Sequence, residues 1–260
     1  MRAKMKYREQ RFECGEYLEL NIFPVFECPK SYGRRKRRCP TAKVQEKLNQ
    51  INREKEVNRV ICANFTDEDV YLTLTYKTEP ADLAENERHF RSFLGKINRK
   101  RKKKGLEKVK YVKTVEVGSR SGRIHMHLVM SGKGLTSKDI ADCWKRGYIR
   151  TNPLQFDTDG CMGLSRYFTK AKTEGNDKQG TVRHSWSCSR NCIRPKPKTN
   201  DHKYSKREVR NMVEDDTAEA IIRRKHPDYL LTSCESVYRD ETGLYYIYAR
   251  LVKKTARLNI

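Results

Sequence analysis

The stretch Gly122–Gly132, "GRIHMHLVMSG", decides how the rest of the chain is read. It sets two histidines one residue apart within a run of large apolar side chains. An imidazole is costly to bury without a partner. The run is strand-like, and residues two apart on a strand share a face. Ile124, Met126, Leu128 and Met130 therefore point to one side, where helices would cover them. His125, His127 and Val129 point to the other. The histidines form a pair on the opposite, polar face of a sheet, spaced to grip one metal ion.

The preceding segment, "VKYVKTVEV" (109–117), reads as the neighbouring strand, and "GSRSG" turns the chain between them. If residues 119–122 form a four-residue hairpin loop, Gly118 pairs with Arg123 and Glu116 falls opposite His125. Directly opposed residues have Cβ atoms about 4.5–5.5 Å apart. Glu116 would then be a third ligand on the histidine face. Two imidazoles and a carboxylate suit a divalent ion with positions left open, and a substrate phosphate oxygen needs an open position. The chain has 6 histidines, so a pair at this spacing also arises by accident, on an inert strand. The register of Glu116 favours the metal reading.

Upstream, "VYLTLTY" (70–76) alternates, with Leu72, Leu74 and Tyr76 on one face and Tyr71, Thr73 and Thr75 on the other. Thr73 and Thr75 can share a face with the metal site, as DNA contacts or ligand supports; ordinary buried strand threonines fit the pattern equally. A helix is expected from Pro80, lined by Leu83, Phe90, Leu94 and Ile97 and closed by Gly105. The Arg99–Lys104 run at its end suits the helix dipole as well as phosphate. "TSKDIADCW" predicts a short capped helix and "GYIRTN" a short strand. "MGLSRYFTKAK" predicts an amphipathic helix, with Leu164, Phe168 and Ala171 on its buried side. Tyr167 and Lys170, three apart, share another side of it. A tyrosine at the rim of a core would look the same.

Outside this block, a helix is expected over residues 41–60, a polar loop over 173–203, one helix over 206–225 and a closing hairpin across "DETG". Residues 1–40 show no clear period and end in "RRKRRCP". Arg34, Arg35, Lys36, Arg37 and Arg38 are expected to make loose DNA contacts, a solvated basic segment being the plain alternative. Arg120 and Arg123 in the hairpin turn are candidate phosphate contacts, and Trp186 a candidate for base stacking or for the core. The expected division is a basic N-terminal extension with a helix (1–60), a nuclease domain (61–200) and a C-terminal helix and hairpin (201–260) that could pack on the nuclease sheet.

The 260 residues carry 57 Lys+Arg against 33 Asp+Glu, a formal net charge of +24. Such an excess points to a polyanionic partner, nucleic acid first. No apolar run approaches the ~20 residues that span a bilayer, and the basic start has no apolar core of the secretory kind. The 9 scattered cysteines offer only Cys188 and Cys192 as a close pair and read as reduced thiols of a cytosolic protein.

Together the motifs resemble those of the HUH endonuclease superfamily, and within it the single-tyrosine rolling-circle replication initiators of bacterial plasmids and phages. "YLTLTY" resembles the first family motif. "EVGSRSGRIHMH" resembles the second, with His125 and His127 as metal histidines and Glu116 as the acidic ligand. "YFTK" resembles the third, with Tyr167 as nucleophile and Lys170 as its companion. The resemblance covers roughly residues 68–173 and lacks a "GxxxxGK[ST]" phosphate loop. It implies an α+β fold, an antiparallel sheet with helices over one face, ferredoxin-like or RRM-like. It implies metal-dependent nicking and rejoining of single-stranded DNA or an origin hairpin, with Mg²⁺ or Mn²⁺, a 5′-phosphotyrosine link and a free 3′-OH. Host helicase and polymerase would be partners in the cytoplasm of a bacterial host, with no membrane involved. A plasmid-mobilisation relaxase or single-strand transposase would share the chemistry. A non-catalytic basic nucleic-acid-binding protein is the remaining alternative.

Overall fold

The computed structural model describes residues 4–27, 42–118, 122–170 and 186–256. The candidate DNA contacts Arg34, Arg35, Lys36, Arg37, Arg38 and Arg120 lie outside them. The chain divides into two compact units, one of Met1–Asn49, Asp157–Gly160 and Arg194–Ile260, the other of Gln50–Phe156 and Cys161–Ile193. Each is built on an antiparallel five-stranded sheet. The α+β class is as expected.

The second unit holds the histidine strand. Its elements, with helix α1 (Ala42–Asn64) leading in, are β3 (Val70–Thr75), α2 (Leu83–Lys103), β4 (Tyr111–Val117), β5 (Ile124–Met130), α3 (Ser137–Ala141), β6 (Ile149–Pro153), α4 (Met162–Thr169) and β7 (Ser187–Cys188). The sheet order is β6-β3-β5-β4-β7, so the histidine strand is central. Leu72 and Leu74 from β3 and Met126, Leu128 and Met130 from β5 bury against Phe90, Phe93 and Ile97 of α2. The period-2 pattern thus puts the apolar side under α2, as read. Gly118 N donates to Arg123 O at 2.8 Å, and Glu116 pairs with His125. Gly122 closes the hairpin at φ 66, a left-handed conformation that suits glycine.

Helices are not confined to one side. α4 lies on the histidine face, where Phe168 meets Tyr71 at 6.3 Å between ring centroids. Its eight residues are too few to be stable alone, and α1 supplies both of its ends. Asn58 Oδ1 accepts from Cys161 N at 2.8 Å, and Gln50 Nε2 donates to Thr169 O at 3.0 Å. Positions 50 and 58 are about 12 Å apart along a helix, the length of α4.

The first unit contains β1 (Lys4–Cys14), β2 (Tyr17–Glu27), β8 (Lys198–Asn200), α5 (Lys206–Glu214), α6 (Ala218–Lys225), β9 (Tyr229–Arg239) and β10 (Leu244–Lys253), in sheet order β8-β1-β2-β10-β9. Leu18, Leu20, Ile22, Ile247, Ala249 and Leu251 bury against Val209, Met212 and Ile222. Two expectations need correction. Residues 4–27, read as lacking a period, form a long hairpin whose alternation is masked because Glu9 occupies an inward position, 3% exposed. The single helix over 206–225 is two, broken at Asp216. The closing hairpin pairs with β2 of this sheet.

Candidate active site

The histidine face carries a continuous polar array. Thr73 stands opposite His127 and Thr75 opposite His125 on one side; Thr114 and Glu116 stand opposite the same histidines on the other. Phe168, 1% exposed, anchors α4, and the preceding Tyr167 brings its hydroxyl onto this array. That hydroxyl donates to Glu116 Oε2 at 2.8 Å and lies 2.7 Å from His127 Nε2. The two rings meet edge to face, 4.8 Å between centroids. On the far side of the imidazole, Nδ1 lies 2.8 Å from the Tyr71 hydroxyl and 3.3 Å from Thr73 Oγ1. The hydrogen bonds assign a tautomer. With Tyr167 giving its proton to Glu116, His127 donates from Nε2 to the phenolic oxygen, and Nδ1 accepts from a hydroxyl behind it.

Burial shapes the charges. His127 is 7% exposed, and desolvation lowers its pKa; Glu116 pulls it back up while His125 lowers it further. The imidazole is therefore neutral, with a lone pair to offer. Tyr167 is pushed up, first by desolvation and then by its hydrogen bond to Glu116 and that carboxylate's charge. Burial also raises Tyr71, an effect that the charge of Arg150 offsets in part. As folded, the cluster holds its phenol protonated.

A divalent ion fits part of this donor set. His127 Nε2 and Glu116 Oε2 are 3.4 Å apart. Two ligands at right angles on an ion with ~2.1 Å bonds would be about 3 Å apart. Tyr71 and Thr73 stand at Nδ1, where a group behind a ligating histidine fixes its tautomer and orientation. His125 shares the face and the Glu116 rung, but among the described residues no three His, Cys, Asp or Glu side chains gather at one point.

The other expected site residues fall elsewhere. α4 ends at Thr169, so Lys170 is its C-cap, exposed, with ψ 126. The premise that it shares a helix side with Tyr167 fails by one residue, and its charge is not among the influences on that phenol. Thr75 Oγ1 donates to Tyr148 O at 3.2 Å. Arg123 Nε lies 3.5 Å from Glu79 Oε1, and Glu79 Oε2 also accepts from Ile124 N. In the Arg99–Lys104 run, Arg101 binds the carbonyls of Glu107, Ser131 and Lys133, while Lys100 and Lys104 both pair with Asp139. Half of that basic run is structural. Trp186 is half-buried beside β7.

Sequence reading passed over two residues of the face. Tyr71 was visible in the alternation of β3 but carried no motif. Arg150 stands directly across β3, opposite Thr73, and is exposed; its signal was a cation at even spacing in a short edge strand.

The geometry defines a tyrosine poised over a histidine–carboxylate pair on an antiparallel sheet. Residues 69–172 match the family model of the ORF2-type replication-associated proteins, less than half of the chain but all of β3 to α4. The match supports a rolling-circle replication initiator. No curated protein and no solved structure matches the chain. Among the described residues, no helix is long and apolar enough to cross a membrane.

Proposed function

We propose that this protein initiates replication by nicking single-stranded DNA, or the unpaired strand of an origin hairpin, through attack of Tyr167. The observation that carries the reading is the Tyr167 hydroxyl held between Glu116 Oε2 and His127 Nε2. The phenolic oxygen attacks phosphorus in line, and the bond to the 3′ oxygen breaks. The phenolic proton ends on that leaving oxygen. The products are a 5′-phosphotyrosine ester and a free 3′-OH, and the ester conserves the bond for rejoining without ATP. A divalent ion, Mg²⁺ or Mn²⁺, held by Glu116, His127 and His125, would bind a non-bridging phosphate oxygen and offset the charge that builds in the transition state.

The chain's own residues do the rest. Phe168 and the α1 caps hold α4 rigidly, so that Tyr167 is fixed in place. Tyr71 and Thr73 orient the imidazole. Arg150 supplies a positive charge on the same face for the phosphate. Lys170 sits near the end of α4, where it can steady the flanking backbone of the strand. Arg123 and the basic segments at 34–38 and 120 add non-specific phosphate contacts.

The test is incubation of the protein with a library of single-stranded oligonucleotides and Mn²⁺ or Mg²⁺, followed by mass spectrometry. A covalent adduct on the peptide containing Tyr167, lost on chelation and restored by metal, is expected. An adduct on another tyrosine refutes the assignment. Metal-independent binding with no adduct on any oligonucleotide favours the non-catalytic alternative.

A further inference from the structure

A cleft of about 470 Å³ opens at the end of β3, lined by Tyr76, Lys77, Thr78, His89, Lys145, Arg146, Gly147 and Tyr148. We infer that it receives one nucleotide of the single strand next to the reacting phosphate, its base stacked on Tyr148 and its phosphate held by Lys77 and Arg146. The inference rests on the reading of single-stranded DNA as substrate and names a subsite for it.

Four observations carry it. The first is size: about 300–1,000 Å³ is the range of small-ligand pockets, and one nucleotide falls within it. The second is charge. Lys77, Lys145 and Arg146 converge on one rim. Lys145 is partly offset by Asp142, 3.3 Å away, which leaves Lys77 and Arg146 as the phosphate donors. Burial raises the pKa of Tyr76 and lowers that of His89, and the Arg146 charge, acting across the cleft, lowers both. Glu79 and Glu85 act in the opposite sense.

The third is a rigid aromatic in water. Tyr148 is 80% exposed, yet its backbone is clamped. Thr75 N and Thr75 Oγ1 both donate to Tyr148 O, and Lys77 N donates to Arg146 O at 2.8 Å. Gly147 permits the clamp, since a Cβ there would lie 2.3 Å from Thr75 O. The ring thus projects from an immobile support, and a stacking platform needs that. The fourth is polar. His89 Nδ1 is buried in the cleft wall with no hydrogen-bond partner among the described residues, and a base edge can meet it.

The register supplies the neighbourhood. Thr75, which grips Tyr148, stands opposite His125, one pleat along β3 from the Thr73–His127 rung. Two strand residues span about 7 Å. A strand of DNA whose scissile phosphate meets Tyr167 would pass this rung next.

The test measures binding of a fluorescein-labelled oligothymidylate by anisotropy, using the full chain in a Tyr167→Phe background so that no adduct forms. Added Tyr148→Ala should weaken binding about 5- to 150-fold, the range for one base on an aromatic ring, with the salt slope unchanged. Tyr148→Phe should bind like its parent, because stacking needs no hydroxyl. Lys77→Gln with Arg146→Gln should shallow the slope of log K against log salt by about 1.4, two lost phosphate contacts. Binding by Tyr148→Ala within twofold of the parent overturns the subsite; the exposed ring packs on nothing, so misfolding is not an escape. Saturation by free thymidine monophosphate at micromolar levels, with oligonucleotide binding indifferent to Tyr148, overturns it too. None of these readouts uses nicking, so absence of an adduct with the unsubstituted chain would strike the nicking reading and leave the subsite standing.

Discussion

The two five-stranded sheets share an architecture and differ in what their inward polar groups do. In the first unit, charged groups are paired off: Glu9 with Lys203 at 2.6 Å, Arg8 with Asp201 at 2.6 Å. In the second unit, the polar face holds neutral groups chained together, Thr73 and Tyr71 to His127 to Tyr167 to Glu116, with the carboxylate end exposed. A closed ion pair has nothing left to offer a ligand. A chain of lone pairs and hydroxyls that ends in solvent does. The difference teaches that the reactive sheet is recognised by unfinished polar chemistry rather than by its fold.

The largest effect should come from breaking that chain at its centre. Tyr167→Phe removes one oxygen and leaves the ring contacts with His127 and Phe168 in place. Adduct formation should fall by a factor on the order of 10⁶, as loss of a nucleophile does, while oligonucleotide affinity and thermal midpoint hold. Full nicking by the Phe variant would place the chemistry elsewhere.

The opposite experiment breaks the closed pair in the other sheet. Glu9 is almost fully buried, so Lys203→Ala strands a carboxylate and should cost about 3–5 kcal/mol of stability in denaturant titrations. Nicking by the protein that remains folded should be unchanged. Replacing both partners by apolar residues, Glu9→Leu with Lys203→Met, should recover most of the loss. If the single variant is as stable as the parent, the first sheet's charges are not the closed pairs described.

A smaller effect separates placement from chemistry. Asn58→Ala removes the acceptor for Cys161 N at the start of α4, a cap of the kind worth about 1 kcal/mol. The helix that carries Tyr167 should fray, and the rate of adduct formation should drop several-fold with affinity for DNA unaltered. An equal fall in affinity would mean that α1 itself touches the strand.

Much of the reactive sheet was legible because its signals are local. A hairpin of fixed loop length sets register, so Glu116 could be placed opposite His125 before any coordinates. Tyr167 could be selected because a helix period put Phe168 inward. Lys170 could not be judged, since its side depended on whether α4 continued one residue past Thr169. The first sheet was largely illegible, for a physical reason. Its β1 strand buries Glu9, and the lysine that makes this tolerable lies 194 residues away. A buried charge with a distant partner looks like a surface position. The same non-locality hid the role of α1, whose Gln50 and Asn58 serve a helix more than 100 residues on.

The smallest expected effect lies at the break between α5 and α6. Asp216 sits at φ 51, and Thr217 N donates to Met212 O at 3.1 Å. That is the 6→1 bond of a Schellman end, in which the left-handed position usually belongs to glycine. For a non-glycine residue this conformation costs about 1–2 kcal/mol, less for aspartate, which tolerates it best. A carboxylate one residue past the end of α5 also opposes that helix's dipole, though it favours the start of α6. Against this, glycine loses more backbone freedom on folding, about 0.5–1 kcal/mol. The balance should leave Asp216→Gly stabilising by about 0.5 kcal/mol, raising the thermal midpoint by about 1–2 °C. Asp216→Ala keeps the steric cost and removes the charge, so it should be no more stable than the parent. A midpoint lowered by glycine would mean that the aspartate side chain stabilises the start of α6, and the break would then belong to that helix rather than to the end of α5.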